Sequence, residues 1–521
     1  MKTPLTPLSL ADRAFKYRDR RLAVIDGDQQ QTYGDWARRI FQVARALMDA
    51  GIKPGDRVAA LMPNTGPMLD LFYAVPWIGA ILVPLNTRLA ADDYAYILRH
   101  SGSRLVVVDR TLWPLLVPLQ DALPTVWVSR GSVAGLLQYE TVLSRFSPDP
   151  LPVPSIDEDA TMTLNYTSGT TARPKGVELT HRNLMTNAVD FAFHLQIGLG
   201  DVYLHTLPMF HVNGWGGVWA VTGVGGVHVT LPKVDGTQIW QLIRQHGITR
   251  MCGAPAVMNI MINSPDAARV EHAVRLGTAG APPPASIIER MESLGFDILH
   301  VYGLTEVSPF ITVSEWLPEE RHLPVAERAR QSARQGIPQL LSGEVRVVRP
   351  DDTQVAEDGE EMGEIVCRGN VVMKGYYQDP DATAKALRGG WFHTGDLAVV
   401  HPDHYIEIRD RDKDVIISGG ENISSVEVES VLYRHPAIQD AAVIGVPDAK
   451  WGETVKAIVV LKEDMAVDSS EIIRFCRDHM AHFKAPTSVD IVAELPRTAS
   501  GKVQKFILRE PYWKKTPKRV N

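Results

Sequence analysis

The eleven residues from Tyr166 to Gly176 (Tyr-Thr-Ser-Gly-Thr-Thr-Ala-Arg-Pro-Lys-Gly) bring four Ser/Thr hydroxyls, two glycines and a lysine into one short loop. Glycine lets consecutive backbone N–H groups converge on an anion, hydroxyls add neutral donors, and Lys175 adds a mobile point charge. That combination suits a polyphosphate, with a nucleoside triphosphate as the natural guest. The loop is not the common G-x-x-x-x-G-K-[ST] phosphate loop, because Lys175 precedes Gly176 instead of following a glycine. A Ser/Thr-rich surface turn would have a similar composition, so the rest of the chain has to discriminate.

Such a loop needs elements that carry it to a ligand. Strand-like runs alternate with helical ones through Arg57 to Met62, Gly66 to Gly79, Ile81 to Leu85, Asp92 to Ser101 and Arg104 to Asp109. This alternation predicts an α/β fold with substantially parallel sheets. Thr161 to Tyr166 reads as the strand entering the loop. Beyond the loop a helix is expected, with Thr180 as its N-cap and Leu184, Ala188, Phe191 and Leu195 as one apolar stripe.

After about residue 340 shorter units (Gly343 to Val348, Gly363 to Arg368, Leu397 to Val400, Tyr405 to Ile408) predict an antiparallel subdomain. The run Arg409-Asp410-Arg411-Asp412-Lys413-Asp414 resists burial and marks an exposed boundary. A small α+β domain should follow, with helices at Ser425 to Arg434 and Ser470 to Met480, and strands at Asp440 to Val446, Thr454 to Leu461 and Ser488 to Ala493. The expected division is 1–410 and 411–521: a large α/β N-terminal domain of several subdomains and a small, mobile C-terminal one.

A chain of 521 residues with 45% hydrophobic and 22% charged content is long enough for two to four globular domains and is neither disordered nor membrane-like. A formal net charge of −7 argues against a nucleic-acid partner. Cys252, Cys367 and Cys476 are far apart and odd in number, which suggests neither a disulfide framework nor a metal cluster and fits a reducing cytosol. The first twenty residues lack the apolar core of a secretory signal. Leu71 to Thr87 and Val202 to Pro232 carry no charge, yet prolines and glycines interrupt them, so both read as buried core and not as a transmembrane segment.

Four further segments accompany the loop in order: Tyr302-Gly303-Leu304-Thr305-Glu306, Trp391 to Leu397 (Trp-Phe-His-Thr-Gly-Asp-Leu), Gly419-Gly420-Glu421-Asn422-Ile423, and Pro496 to Lys502 (Pro-Arg-Thr-Ala-Ser-Gly-Lys). Together they closely resemble the adenylate-forming superfamily of acyl-CoA synthetases, luciferases and peptide-synthetase adenylation domains. The resemblance spans nearly the whole chain. It implies that a carboxylate attacks the α-phosphorus of ATP to give acyl-AMP and pyrophosphate, and that the thiol of CoA then displaces AMP.

The resemblance also implies roles. Thr167, Ser168, Gly169, Thr170, Thr171 and Lys175 would hold the β- and γ-phosphates. Thr305 would bind the α-phosphate, and Glu306 with Thr167 would hold Mg²⁺, a hard cation suited to carboxylate and phosphate oxygens. Gly280, Ala281, Val301 and Tyr302 would enclose adenine, and Asp396 would accept from the ribose hydroxyls. Lys502 would be the principal catalyst of the first step, its ammonium meeting the charge that builds on the carboxylate and α-phosphate. Arg411 and Lys413 match the hinge about which the small domain turns, and Gly419, Gly420, Glu421 and Asn422 would line the CoA thiol's route.

His211 would border the reacting carboxylate, with Val212 and Trp215 in the acyl pocket. The segment His-Val-Asn-x-Trp resembles the version in bacterial fatty acyl-CoA synthetases, where the tryptophan gates an acyl tunnel. A medium- to long-chain fatty acid is therefore the expected substrate. The Glu421-Asn422-Ile423-Ser424-Ser425 segment also resembles enzymes for short-chain, thioether or aromatic acids, and a nucleotide-binding relative without turnover is the alternative of another class. A homodimer and a peripheral membrane contact stay open. Ala172 and His404 stand where the family usually has glycine.

Overall fold

The helix Gly66–Trp77 buries every residue from Pro67 to Trp77, as a helix apolar on all sides must when it forms an inner layer. It packs with Tyr33–Asp49, whose Trp36, Ile40, Val43, Ala44 and Leu47 form a buried stripe. Thr32 starts that second helix through a capping box with Asp35. Between them, Trp36 meets Tyr73 edge to face at 5.1 Å and Phe41 meets Trp77 at 5.4 Å. This core joins residues of two large sheets, such as Val24 and Tyr203 of one and Val58 and Leu105 of the other. The computed structural model describes residues 2–167, 173–280, 285–317, 320, 322–332, 334–411, 414–418, 421–448, 450–463, 465–497 and 503–513, with only the backbone given at 285, 286, 325, 326, 329, 330, 411 and 422.

The first sheet has nine strands among the described residues, and its centre is the parallel series Val227–Thr230, Val202–His205, Arg250–Cys252, Val274–Thr278 and Phe296–Gly303. The second has eight, built on parallel Ile81–Pro84, Arg57–Leu61, Ser103–Asp109 and Thr125–Ser129. The α/β expectation holds, and its strand positions agree to within a residue or two. A four-stranded antiparallel sheet follows, Glu344–Val348, Gly363–Arg368, Phe392–Val400 and Ile406–Arg411. The last sheet, with the long pair Ile438–Asp448 and Gly452–Leu461, carries the helices Ser425–Leu432 and Ser469–His479.

Two expectations need correction. A second strand, Lys175–Thr180, stands between the phosphate-type loop and the helix His181–His194, so the loop closes a hairpin in which Thr167 faces Lys175. The alternating burial of Val177 and Leu179 explains the strand. Thr180 does cap the helix, through Asn183. Arg409, Asp410 and Asp414 of the charge run are also less exposed than its composition suggests. Asp410 is buried and accepts from Ser425 N–H at 2.5 Å and Ser425 Oγ–H at 3.0 Å, holding the start of Ser425–Leu432, while Asp414 pairs with Arg509 at 2.6 Å. At His404 the chain keeps the turn that glycine favours, with φ +64°, and the exposed ring pairs with Glu357 at 2.8 Å. Among the described residues no helix is long and apolar enough to cross a membrane.

Candidate active site

Two of the expected nucleotide groups meet across the boundary between sheets. Tyr302, at the end of Phe296–Gly303, donates its hydroxyl to Asp396 Oδ2 at 2.7 Å, and Asp396 is only 4% exposed. Asp396 is braced locally, its N–H donating to Thr394 Oγ at 3.1 Å. The Gly395 N–H and the His393 ring in turn bond Glu364. A phenol donating to a buried carboxylate fixes the carboxylate plane, and a carboxylate is the group that can accept from two vicinal hydroxyls. Val301 is buried beside Tyr302, and Gly280 adopts φ +92° with open space where a Cβ would stand.

Thr305 and Glu306 occupy a 3₁₀ turn directly after that strand. The turn is tight because Gly303 lies against the returning chain: a Cβ there would sit 1.8 Å from the Pro309 carbonyl oxygen, so no other residue fits. Thr305 is buried, and Met373 N–H donates to the Glu306 carbonyl at 2.8 Å. The Glu306 carboxylate accepts from Tyr376 at 3.0 Å, and Lys175 Nζ lies 4.7 Å from the centre of the same ring. Loop residue Lys175 and turn residue Glu306 therefore converge on one aromatic side chain. Tyr376 carried no signal as an isolated tyrosine in the sequence, since only the pairing of Gly375–Tyr376 with Lys175–Thr180 puts it there.

No group of three or more His, Cys, Asp or Glu among the described residues could hold a metal ion by itself. The carboxylate of Glu306 and the hydroxyl of Thr167 would suit an ion that arrives on a triphosphate, because Mg²⁺ accepts one or two protein oxygens and completes its shell with phosphate and water.

The expected acyl side is built differently. Val212, Asn213, Gly214, Trp215 and Gly216 have φ of +30°, +48°, +57°, +61° and +93°, a left-handed run of three residues with side chains and two glycines, and all five are buried. Three non-glycine residues in that region are strained. They are retained by their contacts: Asn213 Nδ2–H donates to Thr163 Oγ at 3.0 Å, and Trp215 packs edge-on against Phe310 at 5.1 Å. Behind the run, a Cβ on Gly216 would lie 2.2 Å from Asn187 Oδ1 and one on Gly217 would lie 3.0 Å from the Tyr203 ring. His211 is half-buried at the head of this turn. Phe310 was not singled out from the sequence; its position follows from the tight turn at Gly303.

Several expected site residues fall outside the described set: Ser168, Gly169, Thr170, Thr171, Ala172, Ala281, Lys413, Gly419, Gly420 and Lys502, with the side chains of Arg411 and Asn422. Glu421 is described and exposed. Downstream of Lys502, Lys505 is half-buried, 2.7 Å from Glu429 and 2.5 Å from Ser425 Oγ. The Glu429 carboxylate, with Asp410 and Asp414, holds that ammonium's pKa above its ordinary value against the opposing effect of burial.

Comparison with known proteins agrees with this arrangement. The family profile described as AMP-binding enzyme matches residues 10–377, and that described as AMP-binding enzyme C-terminal domain matches 427–502. The chain is 42% identical over 528 residues to 2-methylpropanoate–CoA ligase CCL4 of Humulus lupulus, covering 98% of this chain and 95% of that one. It is 40% identical over 540 residues to the peroxisomal acetate/butyrate–CoA ligase AAE7 of Arabidopsis thaliana, covering 97% and 94%. Among solved structures, ATP-bound MatB from Rhodopseudomonas palustris is similar with a TM-score of 0.87 at 28% identity, covering 97% of this chain and 99% of that chain.

Proposed function

Because the chain belongs to the AMP-binding enzyme family, we propose that it is an ATP- and Mg²⁺-dependent acid–CoA ligase whose acid is short and compact. In the first step the acid's carboxylate oxygen attacks the α-phosphorus, an acyl–phosphate bond forms, and pyrophosphate leaves. In the second, the CoA sulfur attacks the acyl carbon and AMP leaves. Lys175 and the hydroxyls of residues 167–171 take the β- and γ-phosphates, Thr305 the α-phosphate, and Asp396 with Tyr302 the ribose and adenine. Glu306 and Thr167 would hold Mg²⁺, which would supply charge neutralisation when bound. Lys502 meets the negative charge that develops in adenylation, and His211 orients the carboxylate. Residues 411–521 turn about Arg411 and Lys413 so that the thiol can follow ATP to one acyl group along Gly419 to Asn422.

The single observation that carries the choice of acid is the packing at Trp215. A tunnel passing this residue toward the helix His181–His194 would need room where Gly216 and Gly217 leave none for one methyl group, and the outer wall is closed by Phe310. The His211 to Trp215 segment read by itself favours a longer acid; the filled space around it favours a short one. Two relatives named for 2-methylpropanoate and for acetate or butyrate lend support. We place the enzyme in a reducing compartment; the cytosol is the simplest, and one relative is named as peroxisomal.

The test supplies ATP, Mg²⁺, CoA and a panel of straight and branched acids from acetate to palmitate, and measures AMP and pyrophosphate. Rates should peak at or below pentanoate. A peak at decanoate or beyond overturns the assignment of the acid, and no acid-dependent AMP with any member overturns the ligase reading itself.

A further inference from the structure

The polar and charged groups around the phosphate-type hairpin share an organiser that the proposed mechanism does not use. Strand Gly375–Tyr376 pairs antiparallel with Lys175–Thr180, setting Gly375 opposite Glu178 and Tyr376 opposite Val177. Three backbone bonds extend the seam: Lys374 N–H to Glu178 O at 3.0 Å, Tyr377 N–H to Gly176 O at 2.7 Å, and Met373 N–H to Glu306 O at 2.8 Å. The first two bind the segment to the descending arm of the loop, and the third binds it to the turn of Glu306. From this seam the Tyr376 side chain reaches both functional groups, its ring under Lys175 Nζ at 4.7 Å and its hydroxyl on Glu306 Oε1 at 3.0 Å.

We infer that Tyr376 is a positioning residue for MgATP, its hydroxyl presetting the Glu306 carboxylate for the metal and its ring presetting the Lys175 ammonium for the terminal phosphates. This deepens the ligase reading and rests on the roles given there to Lys175 and Glu306. The chemistry favours a tyrosine. A ring face attracts an ammonium without accepting a proton or forming a full ion pair. A phenol donates one hydrogen to a carboxylate and leaves its other lone pairs for a cation. Each group is thereby held in place without being neutralised. A second carboxylate or lysine at this position would neutralise one of them. The Tyr376 backbone is fixed independently of the side chain, because its N–H donates to Thr383 Oγ at 2.9 Å.

A merely structural tyrosine would act on every substrate alike, whereas this one should separate two effects. ATP affinity is measured by calorimetry in EDTA and across a Mg²⁺ series, for the full chain and for Tyr376→Phe and Tyr376→Leu, with thermal unfolding as the control for folding. Tyr376→Phe keeps the ring and loses the hydroxyl. It should reduce the Mg²⁺-dependent gain in ATP affinity by roughly three- to tenfold and leave affinity in EDTA unchanged. Tyr376→Leu loses both and should also weaken binding in EDTA by about three- to tenfold.

A Tyr376→Phe protein with the parent's Mg²⁺ dependence overturns the inference, as does one weakened equally in EDTA and in Mg²⁺. Should Tyr376→Leu fail to fold, the phenylalanine variant decides alone. If the parent binds MgATP but forms no AMP with any acid, the ligase reading fails while the result for Tyr376 stands. If it binds no ATP, both fail.

Discussion

The nucleotide end and the acyl end of the candidate site are carried by different elements and are built on opposite principles. At the nucleotide end, Lys175, Glu306, Tyr302 and Asp396 are polar groups delivered by three strands and a turn and held through hydrogen bonds and a cation–π contact. At the acyl end, Val212 to Gly216 form one buried left-handed turn whose shape is held by packing against Phe310, Tyr203 and Asn187. Polar recognition requires particular atoms at particular places, while an apolar pocket requires only that space be filled or left empty. The first should therefore respond to single substitutions with large, all-or-none changes, and the second with graded shifts in preference.

The largest test of that contrast is Lys502→Ala, which should slow acid-dependent pyrophosphate exchange by roughly 10²–10³-fold while ATP binding, followed by calorimetry, stays within a few-fold. A variant that adenylates normally would remove Lys502 from the chemistry. Next, Asp396→Ala takes away the ribose acceptor and leaves the Tyr302 hydroxyl without its carboxylate; ATP affinity should fall by about 2 kcal/mol, and the KM for the acid should not change.

On the helix that backs the acyl end, burial raises the Asp190 carboxyl from 3.8 to about 6 despite the Leu341 N–H donated to it at 2.8 Å. Between those two values the folded state binds more protons than the unfolded one, so this group's contribution to stability falls as pH rises through that window and stays lost above it. Asp190→Asn keeps the acceptor for Leu341 and should add about 1–3 kcal/mol at neutral pH and nothing near the ordinary carboxyl value, as read from unfolding midpoints at both. An equal gain at both would show that the carboxylate charge is not the cause.

The smallest expected effect is at Phe310→Ala, which opens the wall beside Trp215. Preference should move toward longer acids by about 0.8 kcal/mol for each added methylene accommodated, roughly fourfold in kcat/KM ratios across the acid panel, with the KM for ATP unchanged. If ATP affinity falls in step, the two ends are not separable in the way proposed.

Much of the fold was legible because its strands and helices carry local signals. The apolar run Arg57 to Met62, the capping Thr180 and the long pair around Asp440 to Leu461 each appear where periodicity and caps indicate. The strand Lys175–Thr180 was missed because it directly follows the loop and merges into the helix cap, which conceals a short alternation. The charge run at 409–414 was misjudged for a different reason. Composition alone cannot anticipate that Ser425 and Arg509, distant in sequence, would supply partners for Asp410 and Asp414.

For this protein the order of residues determined the family, since each motif is a short stretch whose backbone needs and side-chain chemistry are complete within a few residues. Tertiary structure decided what those motifs touch. It put Tyr302 on Asp396, placed Lys175 and Glu306 around Tyr376, and filled the space past Trp215 with Phe310, Asn187 and Tyr203. Such contacts join residues that no local pattern relates, and the volume of a cavity is set by everything packed around it. The choice of acid is for that reason a property of the folded chain.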